Sequence, residues 1–344
     1  MTTTATGSNK KLVVAVIGYT GGVGSCLLTA MNKIGLQPFA LVRSSTMKLD
    51  DNEAEVPTDY QALGASLLQQ PNSIPVIADV TASSAVQEHY QGWLQQGISV
   101  VAANKGIFAG KEEYYQALLK AAKQGNCRVL HETTVGAGLP TLGTLQSLKA
   151  SSHDIATVEG ILSGTLAFVL GQVAGGKSTL SQAVKEAKEL GYTEPDPRDD
   201  LNGMDVARKA VILARLAGME GVELSKLNIE SLVPEPLRDC SVDDFMNKLA
   251  DHDSDMADRV AKVEAAGGRL HYAAKVNVKE NKVEVGLLSC EALHPFNNAG
   301  PDNMVAITTN FYTRPLVVQG AGAGGDVTAT GVLADILQCA NQPV

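Results

Sequence analysis

The chain has 344 residues, long enough for two domains that each bury a core. Its 37 acidic against 28 basic side chains leave a formal charge of −9, which argues against a nucleic-acid or other polyanionic partner. Ordinary apolar content with 19% charged residues describes a soluble globular protein.

Along the chain, 1–11 has no apolar stretch and no arginine, so it resembles neither a signal nor a transit peptide and is expected to be a disordered lead-in. No apolar run reaches the roughly 18–20 residues of a membrane span, so no membrane partner is expected. Cys26, Cys127, Cys240, Cys290 and Cys339 are scattered without C-x-x-C spacing. They are expected as reduced thiols of a cytoplasmic protein, not as a disulfide frame or a zinc site.

Leu12–Ile17 is a short β-branched run, the pattern of a buried parallel strand. It leads into Gly18-Tyr-Thr20-Gly21-Gly22-Val23-Gly24 and then a helix around Cys26–Met31. Strand, glycine turn and helix is the context of a dinucleotide pyrophosphate site. Gly18 suits the tight turn, Gly21 or Gly22 the approach of backbone to phosphate, and Gly24 the packing of helix on sheet. The spacing has one residue more than G-x-G-x-x-G, which leaves open which middle glycine serves. The second strand, Pro38–Val42, ends in Arg43-Ser44-Ser45 where NAD-selective folds place an acid. An arginine with hydroxyls suits a 2′-phosphate, so NADP is favoured over NAD. Further strands follow at Ile74–Ala78, Ile98–Ala103 and Arg128–Leu130, with helices between them, including Lys111–Lys123. That alternation means a doubly wound parallel sheet, with ligands at the strands' carboxyl ends. Two polar clusters lie there: Asp79–Ser83, which includes Thr81, and Asn104-Lys105-Gly106. Lys105 in that position is commonly a solvated loop residue; beside a nicotinamide it would orient substrate or relay a proton. His131-Glu132 opens a glycine-rich loop through Val135, Ala137 and Leu139. Taken alone this reads first as a turn with a capping acid; a carboxylate followed by backbone carbonyls is also the hard-oxygen set of a cation site.

After about residue 150 the pattern changes. Val158–Thr165 leads into an apolar helix, Leu166–Val173, and an amphipathic helix, Leu180–Leu190, precedes an acidic turn. Leu270–Val276 and Lys282–Leu288 alternate as an antiparallel hairpin, and Met304–Thr309 and Leu316–Val318 add strands. This is a second, mixed α/β domain, expected at 151–319. The tail's Gly320-Ala-Gly322-Ala-Gly324-Gly325 is followed by a helix of about Val327–Cys339. With no βαβ unit after it, it is expected to return the chain to the first domain and complete its layer, giving that domain the bounds 1–150 and 320–344.

The most informative segment is Glu189–Lys209, which gathers Glu194, Asp196, Asp199, Asp200, Asp205, Arg208 and Lys209 in a turn entering a helix. Asp205 and Lys209 share a helical face that continues into Ile212 and Leu216. An exposed i,i+4 pair is the bland reading. The apolar continuation puts the charges at the mouth of a buried helix, where unemployed charge is costly, and marks a site.

These motifs, in this order over nearly the whole chain, resemble the short monofunctional homoserine dehydrogenases. The most specific of them is Gly191–Lys209. The resemblance implies a Rossmann-type domain with a mixed α/β catalytic and dimerisation domain, and a homodimer. It implies reversible NAD(P)H-dependent reduction of L-aspartate 4-semialdehyde to L-homoserine on the route to threonine, methionine and isoleucine. By the same resemblance Lys209 is the acid/base, Asp205 its partner and Lys105 a second catalytic lysine. Glu194 and Tyr192 would bind substrate, with Thr165 and Asp200 lining the pocket. Thr81 and Gly324 would contact the cofactor, and Glu132 with the carbonyls of Val135, Ala137 and Leu139 would form a sodium site. The resemblance is to the type without an aspartokinase or ACT domain, so threonine feedback through such a domain is not expected.

The rival classes fit less well. A short-chain dehydrogenase needs Tyr-x-x-x-Lys, but Tyr114 and Tyr115 are followed four residues on by Leu118 and Leu119. A phosphorylating aldehyde dehydrogenase needs a cysteine nucleophile beside a histidine loop, and none of the five reads so. A non-catalytic NADP-binding redox sensor would not need the Glu194–Lys209 constellation.

Overall fold

In the computed structural model, residues 10–49 and 54–340 are described. They fall into two units: one runs up to Pro140 and resumes at Ala323, and the other is Thr141–Gly322. All but the last two residues of the expected lead-in lie outside the described residues. Among those described, no helix is long and apolar enough to cross a membrane.

The first unit is built on β1 (Lys11–Ile17), β2 (Ala40–Val42), β3 (Thr46–Lys48), β4 (Val56–Pro57), β5 (Ser73–Asp79), β6 (Ser99–Ala102) and β7 (Val129–Leu130). Their order is β4-β3-β2-β1-β5-β6-β7. From β2 to β7 the pairing is parallel. The strand order reverses beside β1, the switch point where doubly wound sheets bind ligands. β3 and β4 add an antiparallel edge that the sequence reading did not contain; strands of three and two residues give too little alternation to be read. The helix Gly22–Lys33 brings Leu27 and Met31 onto Val14, Val16, Val76 and Val101. The tail helix Gly325–Gln338 joins the same core through Ala329, Val332 and Ile336, completing the layer as expected.

The second unit holds β8 (Ile155–Ile161), β9 (Asn228–Ile229), β10 (Arg269–Asn277), β11 (Lys282–Cys290), β12 (Asn303–Thr309) and β13 (Leu316–Gly320). The order is β13-β12-β8-β10-β11-β9, antiparallel except for the parallel β9–β11 pair. The β10–β11 hairpin pairs Asn277 with Lys282, as its alternation implied. β8 corrects the sequence reading, which treated this stretch only as a lead into the next helix. It is a central strand whose apolar pattern is broken by Glu159. That carboxylate is buried and is held by the Lys275 ammonium of β10 at 2.9 Å, so a charged residue sits where sequence patterning expects an apolar one. The helix Met204–Ala217 buries Val206, Ala210, Val211, Leu213 and Ala214. It packs on β10 and β11, which explains a helix apolar nearly all round.

Candidate active site

The turn before the helix Met204–Ala217 closes on Gly203, whose φ of 76° favours glycine. A Cβ there would also overlap the Tyr272 hydroxyl, itself donating to the Glu230 carbonyl at 2.6 Å. The helix therefore starts at a fixed point against β10. Asp205 stands in its first turn and Lys209 one turn on. The Lys209 ammonium lies 2.8 Å from Asp205 Oδ2 and donates to the Leu162 carbonyl at 2.6 Å. The Lys209 side chain is 12% exposed and that of Asp205 38%. Below them Ile212 and Leu216 are buried, so the stripe continues into the core as the sequence implied. Leu162 directly follows β8, and backbone acceptors leave no mark in sequence; its part in holding Lys209 was not foreseen.

The helix Gly164–Val173 leaves the same strand end, capped by the Ser163 hydroxyl accepting the Leu166 N–H. Thr165 in its first turn donates to the Tyr192 carbonyl at 2.6 Å, with Asp200 Oδ1 3.1 Å away. Asp200 Oδ2 accepts the Glu194 N–H at 2.8 Å. Thr165, Tyr192, Glu194 and Asp200, distant in sequence, are thus one hydrogen-bonded group. Burial pushes the Asp200 carboxyl up from the usual carboxylate range, with the Glu194 N–H and the Thr165 hydroxyl drawing it back. The Glu194 side chain is exposed, carried on a backbone that Asp200 pins. The turn is anchored by Arg198, another residue sequence reasoning passed over. Its guanidinium holds Asp196 at 2.7 Å and donates through Nη1 to the carbonyls of Arg238 and Cys240 at 3.0 and 2.7 Å. The D-P-R spacing is visible in the sequence, but the acceptors of Arg198 lie some forty residues away and are main-chain atoms.

In the first unit, the carboxyl ends of β1, β5 and β6 meet. Gly18 has φ 87°, and a Cβ there would come within 2.6 Å of the Thr81 methyl, so the glycine loop touches Thr81. A Cβ at Gly24 would strike the Gly18 carbonyl and the Tyr19 backbone, which fixes Gly24 as the packing glycine. Gly21 is the N-cap residue of the helix Gly22–Lys33, with no side-chain cap and no acid in the first turn. Above Gly22, also in that turn with Val23, the space where a Cβ would stand is open to 4 Å. Uncapped amides at a helix N-terminus with no acid in its own first turn suit a diphosphate. The tail helix starts beside them, since a Cβ at Gly325 would come within 3.3 Å of the Gly22 carbonyl, with Gly324 just before it at φ 121°. At the end of β2, Arg43 Nε donates to the Tyr19 hydroxyl at 2.7 Å and Nη2 pairs with Glu55 at 3.2 Å. Thr20 follows Tyr19 in the loop. Asp79 ends β5 fully buried, accepting the Tyr90 hydroxyl at 2.5 Å and the Thr81 N–H at 2.8 Å. Lys105 stands half-buried after β6, at the start of the helix Gly106–Ala109. The residues therefore fit a dinucleotide.

The loop after β7 is built for oxygen donors. Glu132 opens a 3-10 turn, and Gly136 and Ala137 have φ of 83° and 52°. Leu139 donates its N–H to the Gly136 carbonyl at 3.0 Å, closing the loop on itself. Val135 and Ala137 are buried. A carboxylate followed by a tight loop of backbone carbonyls is a hard-oxygen set of the kind that suits a cation.

Comparison with known proteins carries these features to a family. Residues 140–337 match the homoserine dehydrogenase family model and 20–132 the homoserine dehydrogenase NAD-binding domain. The chain is 36% identical to homoserine dehydrogenase of Saccharomyces cerevisiae, over 97% of this chain and 99% of that one. It is 40% identical to a chloroplastic bifunctional aspartokinase/homoserine dehydrogenase of Zea mays, covering 96% of itself but 38% of that protein. It thus spans about two-fifths of the plant relative's length. A crystal structure of a Candida auris protein of unknown function superposes with a TM-score of 0.89 at 33% identity, covering 97% of this chain and 98% of that one. With a nicotinamide-type sheet, a lysine–aspartate pair on a buried helix and family models spanning both units, the chain belongs to the homoserine dehydrogenases, NAD(P)-dependent oxidoreductases.

Proposed function

We propose that the chain interconverts L-aspartate 4-semialdehyde and L-homoserine, with Lys209 as the group that gives and takes the proton. This step leads toward threonine, methionine and isoleucine. The observation that carries the reading is the Lys209 ammonium clamped by Asp205 and the Leu162 carbonyl at the end of a central strand. Two of its directions are spoken for by fixed acceptors, so the ammonium has a set orientation instead of a solvated tail. NAD(P)H, when bound, supplies the hydride. Lys209 stabilises the charge that develops on the aldehyde oxygen and protonates it; in the oxidation it withdraws that proton. Asp205 keeps a positive charge favourable in a largely buried position. The exposed Glu194 carboxylate takes the substrate ammonium, with Tyr192, Thr165 and Asp200 fixing the loop that presents it. Lys105 is the second lysine of the reaction.

The diphosphate is assigned to the first-turn amides of Gly22 and Val23, flanked by Gly18, Thr20, Gly21 and Gly24, with Thr81 and Gly324 as further contacts. Arg43 takes a 2′-phosphate, which favours NADP over NAD. Glu132 with the carbonyls of Val135, Ala137 and Leu139 holds a monovalent cation, Na+. The unit 141–322 carries substrate binding and a homodimer interface, and the protein works in the cytoplasm. The test is direct. Purified protein is mixed with L-homoserine and NADP at alkaline pH, and nicotinamide absorbance is followed. Cofactor binding without reduction defeats the reaction proposed; faster turnover with NAD defeats the role given to Arg43.

A further inference from the structure

The second unit contains a cavity of about 250 Å3 bounded by the helix Gly164–Val173, the start of β10 and the turn Pro295–Asn298. None of Lys209, Asp205, Glu194 or Asp200 lines it. Its chemistry is one-sided. Arg269, the first residue of β10, and Lys177 bring two cationic side chains to its wall, and no Asp or Glu is among the described residues that line it. Neither cation enters an ion pair among the described residues. Arg269 Nε is buried and has no hydrogen-bond partner among the described residues. An orphaned guanidinium N–H is unfavourable unless something supplies an acceptor, and native interiors leave few such groups.

The remaining polar groups do not fill that need. Asn297 Oδ1 is engaged with His271 Nε2 at 2.9 Å, and Asn297 Nδ2 donates to the carbonyls of Glu291 and Ala292. Burial holds His271 below the usual histidine range, with the Arg269 charge acting in the same direction. Ile161, Phe168 and Phe296 supply the apolar part of the lining, and Gln172 adds a neutral amide.

We propose that this cavity is a binding site for a small carboxylate with a compact apolar tail, its carboxylate on Arg269 and Lys177 and its tail against Ile161, Phe168 and Phe296. The planar fork of a guanidinium matches a carboxylate. The apolar wall favours a tailed acid over inorganic phosphate. The lack of a lining carboxylate disfavours an amino acid, whose ammonium would go unmatched. The volume is below the roughly 300–1,000 Å3 of pockets that take drug-sized ligands, so the occupant is small. The site stands independently of the reaction proposed above, because occupancy is read as binding and not as turnover.

The experiment is isothermal titration of the full chain with 4-methylpentanoate, L-leucine and inorganic phosphate in turn. Saturable binding of 4-methylpentanoate is expected, tighter than either of the others. Arg269→Gln should weaken it roughly ten- to hundredfold, the loss of a charge-assisted contact. Lys177→Gln changes an exposed side chain, leaves the fold and turnover intact, and should weaken binding roughly threefold, as one exposed charge would. If Arg269→Gln does not fold, Lys177→Gln alone carries the test. Binding should persist with L-homoserine present at saturation. No saturation up to about 10 mM, below useful recognition, overturns the proposal. So does displacement by L-homoserine, tighter binding of phosphate or L-leucine, or unchanged affinity in the variant that folds.

Discussion

Replacing Lys209 by methionine keeps the length and apolar character of the side chain and removes only the ammonium. Two consequences separate by size. The proton donor is lost, and a positioned acid/base contributes roughly 10²–10⁴-fold, or about 3–5 kcal/mol of barrier. The Leu162 carbonyl, now bonded at 2.6 Å, loses a donor; a buried acceptor left unmet costs about 1–3 kcal/mol. Asp205 is 38% exposed and regains water, so its share stays within the ~0–1 kcal/mol of surface pairs. The variant should therefore remain folded, with its unfolding free energy lower by about 1–3 kcal/mol, and bind NADPH like the parent. Its turnover should fall roughly a hundred- to ten-thousandfold. Lys209→Arg restores a cation but not a group that deprotonates in proteins, so it should recover stability and remain slow. The assays are urea unfolding, NADPH fluorescence titration and homoserine oxidation. A folded Lys209→Met enzyme within about tenfold of parental turnover, less than a general acid supplies, would remove Lys209 from the chemistry.

Other outcomes follow from the first unit. Gly24→Ala places a methyl 2.5 Å from Tyr19 Cα; it should destabilise by about 1–3 kcal/mol, as overpacking does, and abolish dinucleotide binding, and an unchanged urea midpoint would refute that packing. Arg43→Ala should raise KM for NADPH roughly tenfold or more, through loss of a charge-assisted phosphate contact, and leave KM for NADH nearly unchanged; equal effects on both would show that Arg43 does not read the 2′-phosphate. Glu132→Gln should erase the extra thermal stability that NaCl gives over choline chloride at equal ionic strength, since a ligand bound only by the native state stabilises by mass action. A parent protein indifferent to that exchange would exclude a sodium-selective site there.

Much of this architecture was legible because it is written in side-chain pattern. β1 with its glycines, the β10–β11 hairpin and the returning tail helix each carry a local signal. The spacing of Asp205 and Lys209 on a stripe ending in Ile212 and Leu216 was enough to nominate the pair. Glu159 hid β8, since its counter-ion Lys275 arrives from a strand more than a hundred residues on. The Leu162 carbonyl was invisible because main-chain acceptors have no letter in the sequence. Tyr19 looked like spacing within the glycine loop, and only the turn of β2 brings Arg43 to its hydroxyl. What escaped was the set of contacts made by backbone, or by residues joined across long loops.

The first unit takes its last helix from the end of the chain, and this has a consequence during synthesis. Until Gly325–Gln338 emerges, the faces of Val14, Leu27 and Met31 that await Ala329 and Ile336 stand uncovered. All of Thr141–Gly322 must leave the ribosome in between, on the order of ten to forty seconds at roughly 5–20 residues per second. The nicotinamide-binding half is thus begun first and finished last, and the nascent chain should lean on chaperones during that interval.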